Sequence, residues 1–286
     1  MVNNMENLIY MNHITKKYGS KIVLQNICLQ VKVGDSIAFI GHNGSGKSTL
    51  LKIMSGLVSC DSGKIDYQTK LKFNYVPEYF PKLAITPRQY IMRVGAIDGI
   101  EKRRLKEQSS NLFNMFYMDT MIDVPIKYLS KGTIQKVAVI QAMLTTPDVL
   151  LLDEPLAGQD MASQQVFIDM VRNMNASGVA IVLSCHEKWL IQALSKQVYE
   201  IRNKNLELSN QFMEEISHYK ELSFVKSKSG ITDIYQNLNM KDVVLKIENT
   251  NGEQLLYVSD KYCDFIIRKM LSNGYELRGM KNETIH

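Results

Sequence analysis

Two short stretches of the chain hold most of the side chains able to do chemistry. The first, "GHNGSGKST" (Gly41–Thr49), satisfies the pattern G-x-x-x-x-G-K-[ST]. It follows the apolar run Ser36–Ile40 and leads into Leu50, Leu51, Ile53 and Met54 at helical spacing. That strand–loop–helix setting is the one in which the pattern binds phosphate. Gly41, Gly44 and Gly46 lack the side chains that would keep backbone N–H groups from curling around phosphate oxygens, and Asn43, Ser45 and Thr49 complete the loop. Lys47 is placed to meet the β- and γ-phosphates, and the Ser48 hydroxyl to ligate Mg2+. The second stretch, "VLLLDEP" (Val149–Pro155), ends an apolar run on two carboxylates. A carboxylate at the end of a buried strand is costly unless it is paired or holds a metal. Asp153 is therefore expected to hold the Mg2+ through water, and Glu154 to orient or deprotonate an attacking water.

These groups need a scaffold of strands and helices, and the first half of the chain alternates the two. Ser36–Gly41, Val149–Asp153 and Val179–His186 are near-continuous apolar runs, as parallel strands covered on both faces require. Between and after them, Ile134, Val137, Ile140 and Leu144, then Phe167, Met170, Val171 and Met174, recur at helical spacing. The pattern is that of an α/β domain. From about Pro81 to Asp123 no buried strand is visible, and the polar run "EKRRLKEQSSN" reads as the solvated face of a helical insertion. After about Leu208 the composition changes. "DVVLKIE", "QLLYVS", the amphipathic "YCDFIIRKMLSNG" and "YELRGM" suggest strand, strand, helix, strand, with a hairpin turn at Asn251–Gln254 and a helix stop at Gly274.

The 286 residues, 45% hydrophobic and 22% charged, suit a folded chain with one large and one small domain. A net charge of +5 is compatible with an anionic ligand or membrane surface and too weak to argue for nucleic acid. Cys28, Cys60, Cys185 and Cys263 are scattered, which fits reduced thiols in the cytoplasm rather than a disulfide framework or zinc site. The N-terminus lacks an apolar signal core, and no run approaches the ~20 apolar residues that span a bilayer, so membrane work would need a partner.

In this order and spacing the motifs resemble those of the nucleotide-binding subunit of an ATP-binding cassette (ABC) transporter, over roughly residues 6 to 205. Tyr18, in "KKYGSKIVL", matches the aromatic residue that stacks on adenine in that family. Glu78, in "NYVPEYF", occupies the place of the Q-loop residue that links γ-phosphate and Mg2+ to the helical subdomain. "YLSKGTIQK" matches the signature motif, in which Ser130 and Gly132 meet the opposite subunit's γ-phosphate. Asp160 is the acid of the D-loop "LAGQD", and His186 matches the switch histidine that contacts the γ-phosphate. The resemblance implies a P-loop ABC ATPase domain at 1–208, with a RecA-like core, an antiparallel β subdomain and a helical signature subdomain at about 81–145. A small α+β accessory module follows at 209–286. It further implies ATP and Mg2+ as ligands, and a sandwich of two ATPs between two identical or paralogous subunits. It also implies an integral-membrane permease as partner, at the cytoplasmic face of the cell membrane.

Three positions depart from the commonest family pattern. Glu78 replaces glutamine, the D-loop reads "AGQD", and the signature reads Leu-Ser-Lys-Gly-Thr, with Lys131 where glycine is usual. The last variant resembles ABC-2 type exporters, including those for antibiotics and amphipathic peptides, which suggests export as the direction. The apolar Tyr79, Phe80, Leu83 and Ile85 lie where the family docks its permease. The alternative is a soluble ABC-type ATPase acting on ribosomes or DNA, although such chains carry two cassettes or a long coiled coil, and neither is visible here. An unrelated P-loop kinase or GTPase leaves "LSKG" and His186 unexplained. Residues 209–286 could regulate the ATPase, extend a dimer interface, sense substrate or serve as a structural extension.

Overall fold

The structure is a computed structural model describing residues 7–68, 70–209, 219–226, 244–250, 253–259 and 263–283. By internal packing the chain forms two units, Met1–His186 with Leu194–Glu207, and Glu187–Ala193 with Leu208–His286. Residues 187–193, which the sequence reading kept in the N-terminal domain, thus group with the C-terminal part.

The first unit contains two sheets. β1 (Asn7–Tyr18), β2 (Lys21–Lys32) and β4 (Ser62–Tyr67) form an antiparallel sheet in the order β2-β1-β4. The larger sheet has the order β5-β6-β7-β3-β8-β9, built from β3 (Ser36–Ile40), β5 (Phe73–Val76), β6 (Val149–Asp153), β7 (Ala180–Ser184), β8 (Gln197–Arg202) and β9 (Asn205–Leu208). From β5 to β8 the strands are parallel. Alternate residues Ile37, Phe39, Val149, Leu151, Ala180 and Val182 join a core with β1, β2 and the apolar face of α1 (Lys47–Met54). The other face is covered by α4 (Lys131–Met143) against β5 and α5 (Met161–Ala176) against β7. Strands buried on both faces have no use for alternation, which is why these three runs read as continuously apolar.

The helical insertion contains α2 (Pro87–Ile97) and α3 (Lys102–Met115). Thr86 opens α2 with a capping box, its hydroxyl accepting from Gln89 N–H and its own N–H donating to the Gln89 side chain, with Pro87 at the first helical position. On α3 the charged run is exposed while Leu105, Leu112 and Phe113 are buried, as a solvated helix face requires.

The second unit contains α6 (Lys188–Leu194) for most of its length, and one antiparallel sheet with a single helix. The sheet order is β11-β12-β10-β13, from β10 (Tyr219–Lys226), β11 (Val244–Thr250), β12 (Glu253–Ser259) and β13 (Tyr275–Glu283). α7 (Cys263–Ser272) packs Cys263, Ile266 and Met270 onto Leu222, Phe224, Leu256, Val258 and Tyr275. Gly274 ends α7 at φ +79°. β10 is an interior strand that the sequence reading passed over. Its buried Leu222 and Phe224 alternate with Glu221 and Ser223, a two-residue period in a run too polar to stand out. Asn251 and Gly252 of the expected hairpin turn lie outside the described residues, although β11 and β12 on either side pair antiparallel.

α4 carries the signature segment and is buried on nearly every side, including at two polar residues. Gln135 Nε2 donates to the Pro77 carbonyl at 2.9 Å, tying the helix to the segment ahead of Glu78. Lys136 Nζ donates to Phe116 O at 3.0 Å and pairs with Asp160 Oδ2 at 2.6 Å. Asp160 is also the N-cap of α5, accepting from Ser163 N–H at 2.9 Å and from its hydroxyl at 3.0 Å. Burial would raise the Asp160 carboxyl, but Lys136 and Ser163 outweigh it and hold the group at about 2 against an ordinary 3.8. A depressed carboxyl stabilises the fold above its unfolded value and loses that contribution as pH falls through the folded one. Asp160→Asn keeps a capping residue but strips the buried Lys136 of its anion. It should lower stability by about 1 kcal/mol near neutral pH, a figure reduced for solvent screening of a half-exposed carboxylate. Urea-unfolding midpoints should show the full difference above about pH 4, shrinking as the pH is lowered toward about 2.

Candidate functional site

A cavity of about 640 Å3 opens in the first unit beside the loop between β3 and α1. The loop wraps it with Asn43, Gly44, Gly46, Lys47, Ser48 and Thr49. At Gly44, φ is +77° and an added Cβ would meet no atom within 4 Å, so its bare backbone faces open space that a phosphate could fill. The Ser45 hydroxyl is buried beneath the loop with no hydrogen-bond partner among the described residues. The Lys47 ammonium turns back on its own loop, donating to the Gly41 carbonyl at 2.8 Å and the His42 carbonyl at 3.3 Å. Burial lowers its pKa, against the opposing pull of Glu154 and Asp153. A cation so placed, with no carboxylate in hydrogen-bond contact and partly desolvated, suits an incoming anion.

Asp153 ends β6 and is 1% exposed. Three hydroxyls from three elements converge on it. Ser48 at the start of α1 donates to Oδ1 at 2.9 Å, Ser184 at the end of β7 donates to Oδ1 at 2.5 Å, and Tyr75 of β5 donates to Oδ2 at 2.9 Å. The β6–β7 register places Asp153 directly opposite Ser184, so parallel pairing itself makes one contact. Burial, and then the neighbouring Asp153 carboxylate, push the Tyr75 hydroxyl strongly up, so it stays a donor at every ordinary pH. Ser48 and Asp153 present hard oxygen donors on one wall, with Glu78 on the same cavity. Among the described residues no group of three or more His, Cys, Asp or Glu could hold a metal. One hydroxyl and one carboxylate fit Mg2+, which takes few protein ligands and completes its shell with phosphate and water.

Glu154 follows Asp153 with a left-handed backbone, φ +46°, its N–H donating to Ser184 O at 2.9 Å. That conformation disfavours a side-chain-bearing residue and aims the carboxylate into the cavity. His186 Nε2 lies 3.4 Å from Glu154 Oε1 and 3.3 Å from Lys47 Nζ, on the same cavity wall. Tyr18, at the end of β1 and 52% exposed, stands at the rim.

Of the residues singled out in the sequence, Tyr18, Asn43, Gly44, Gly46, Lys47, Ser48, Thr49, Glu78, Asp153, Glu154 and His186 share this cavity, while Ser45 does not line it. Gly41 underlies it through its carbonyl. Ser130, Gly132 and Asp160 do not line it. Ser130 caps α4, accepting from Thr133 N–H at 3.2 Å. At Gly132 an added Cβ would come within 1.9 Å of the Gly158 carbonyl oxygen, so glycine there is demanded by close packing of the signature against the D-loop. Lys131 extends to the wall of its own chain's cavity. Of the apolar Q-loop set, Tyr79 is exposed while Phe80, Leu83 and Ile85 are half-buried. Tyr75, Ser184 and Lys136 were not singled out by motif reasoning. Only the polar atoms of Tyr75 and Ser184 at the ends of buried strands hinted at them.

Fold and cavity together define a P-loop nucleotide-binding ATPase. A family model described as ABC transporter matches residues 24–157. The chain is 30% identical to the zinc import ATP-binding protein ZnuC of Rickettsia conorii over 195 residues, 67% of this chain and 81% of that protein. It is 25% identical to the ABC transporter ATP-binding protein YhaQ of Bacillus subtilis over 270 residues, 87% of this chain and 89% of that protein, a span that reaches into the C-terminal unit. A solved ATP-binding subunit of an ABC transporter superposes with a TM-score of 0.64 and 23% identity, over 70% of this chain and 88% of that one, a likeness of fold. The chain belongs to the ATP-binding subunits of ABC transporters, and it is an ATPase of that class.

The Tyr75 hydroxyl offsets buried negative charge that Mg2+ would otherwise offset. Tyr75→Phe should therefore cost about 2 kcal/mol in the ligand-free protein, with part of the loss recovered when Mg2+ and ATP are added. Thermal unfolding with and without both ligands checks this. A loss that Mg2+ and ATP leave unchanged would remove the hydroxyl from that role.

Proposed function

We propose that this chain pairs with a second ATPase subunit around two ATPs and drives a separate integral-membrane permease. One observation carries the reading: Lys47, Ser48, Asp153, Glu154 and His186, far apart in sequence, line a single cavity. Adenine stacks on the exposed ring of Tyr18, and the phosphates lie along the 43–49 loop. Ser48 and Asp153, with Glu78 lining the same cavity, would hold a Mg2+ arriving with ATP, and that ion would supply neutralisation of phosphate charge. The Lys47 ammonium exchanges the carbonyls of Gly41 and His42 for phosphate oxygens. Glu154 accepts a proton from the attacking water as its oxygen bonds to the γ-phosphorus and the bond to the bridging oxygen breaks. His186, already beside Lys47 and Glu154, holds the terminal phosphate.

One chain carries one phosphate loop and one signature. Ser130, Gly132 and Asp160 stand outside the chain's own cavity, which supports their service at a second subunit's nucleotide. Among the described residues no helix is long and apolar enough to cross a membrane, which supports a permease on another chain and a place at the cytoplasmic membrane face. We read the direction as export and the cargo as an amphipathic peptide or antibiotic, supported by the Leu-Ser-Lys-Gly-Thr signature. The ZnuC relative is named for import, so family membership sets no direction.

A polytopic membrane protein should co-purify with the chain from detergent-solubilised membranes; recovery with ribosomes and no membrane protein would overturn the reading. Glu154→Gln should retain ATP binding and ATP-dependent dimerisation while hydrolysis falls by roughly two orders of magnitude or more. Near-normal turnover in that variant would remove Glu154 from the role of general base.

A further inference from the structure

The course of the chain between β7 and β8 departs from what its sheet leads one to expect. Both strands flank β3 and run parallel to it. A connection between parallel strands of one sheet ordinarily returns across that sheet and packs on it. Here the connection is α6, and Glu187–Ala193 groups by internal packing with Leu208–His286 in the second unit, although both strands belong to the first. The residue immediately ahead of that segment is His186. It lies on the cavity wall, 3.3 Å from Lys47 Nζ and 3.4 Å from Glu154 Oε1.

The two ends of α6 are held differently. At its C-terminal end the Leu194 carbonyl accepts from the buried Ser36 hydroxyl at the start of β3. Lys196 N–H then donates to Ser36 O at 2.9 Å. These bonds pin the return into β8 to the strand that leads into the phosphate loop. At the N-terminal end the Glu187 carbonyl accepts from Leu190 N–H at 3.1 Å and Ile191 N–H at 3.2 Å. The first turn therefore begins directly after His186, with no slack residue between histidine and helix. With the far end pinned, a displacement of α6 is expressed at its near end and reaches the histidine across one rigid peptide bond.

We infer that the C-terminal unit sets the position of His186 through α6, and so governs how the cavity answers a terminal phosphate. The inference rests on the placement of that phosphate at His186 proposed above. A rearrangement within the C-terminal sheet and α7 changes the hold on α6, and with it the reach of the imidazole. Coupling of this kind is reciprocal, so a terminal phosphate that draws His186 inward also acts on the C-terminal unit. ADP, which lacks that phosphate, leaves α6 where it is.

The chain supplies its own reporter, because its single tryptophan, Trp189, is half-buried on α6. In the full chain carrying Glu154→Gln, Mg2+ with ATP should shift the Trp189 emission, and Mg2+ with ADP should shift it far less. Adding His186→Ala should remove the shift while equilibrium dialysis still finds ATP bound, with a reduced preference for ATP over ADP. In the reverse direction Phe224→Ala, in the core of the C-terminal unit, should weaken ATP binding about fivefold or more and leave ADP binding within about twofold. Val258→Ala, a smaller change in the same core, should give the same ordering if Phe224→Ala does not fold. Emission that ignores bound ATP or answers ADP as fully, or core variants that bind ATP within about twofold of the parent, would overturn the coupling. A His186→Ala chain that keeps its full preference for ATP over ADP would instead overturn the phosphate placement on which the coupling rests.

Discussion

Burying one carboxylate at the end of a central strand organises much of this molecule. Asp153 is almost fully removed from water, and an ionised group in that position is tolerable only if its environment supplies donors. The donors come from β5, α1 and β7. Each of those elements must hold its place and register for the group to remain satisfied. The parallel order β5-β6-β7-β3 is what sets the contributing termini side by side. In this sense the cavity is a consequence of sheet topology before it is a property of any motif.

The signature helix is bound to the cavity from two directions. Gln135 ties α4 to the backbone ahead of Glu78, and Lys136 ties it to the N-cap of α5. Gly132 and Gly158 lie too close for either chain segment to shift past a side chain. The Q-loop, signature and D-loop therefore form one packed junction, each held by a group buried in the next. A displacement at the nucleotide end has a short, stiff route to the helical insertion.

How much of this was legible in the sequence depended on whether the information was local. The phosphate loop and the acidic end of β6 declare themselves within nine and seven residues, because the chemistry needs those types at those spacings. The two-sided burial of β3, β6 and β7 was equally plain from continuous apolar runs. What lay hidden was pairing across distance. Nothing in "NYVPEYF" says that Tyr75 reaches Asp153, and nothing near Lys136 names Asp160, 24 positions away by their numbering. The signature glycine carried the right residue type with a packing demand no spacing discloses, since the atom that excludes a Cβ belongs to Gly158. β10 was missed for the opposite reason. Its alternation is present but diluted by charge, and only pairing with β12 and β13 makes it an interior strand.

The backbone of Glu154 has a further consequence. A left-handed conformation at a residue with a side chain is paid for by the rest of the fold, at a cost of order 1 kcal/mol. Glycine or asparagine would relax that position, yet neither offers the proton acceptor that the cavity's reading requires. Selection for robustness and selection for turnover therefore pull in opposite directions at this one residue. An inactive descendant of this chain would be free to drift toward glycine here and become a sturdier protein. The strained backbone at Glu154 is thus the cost of keeping the proposed proton acceptor at this position.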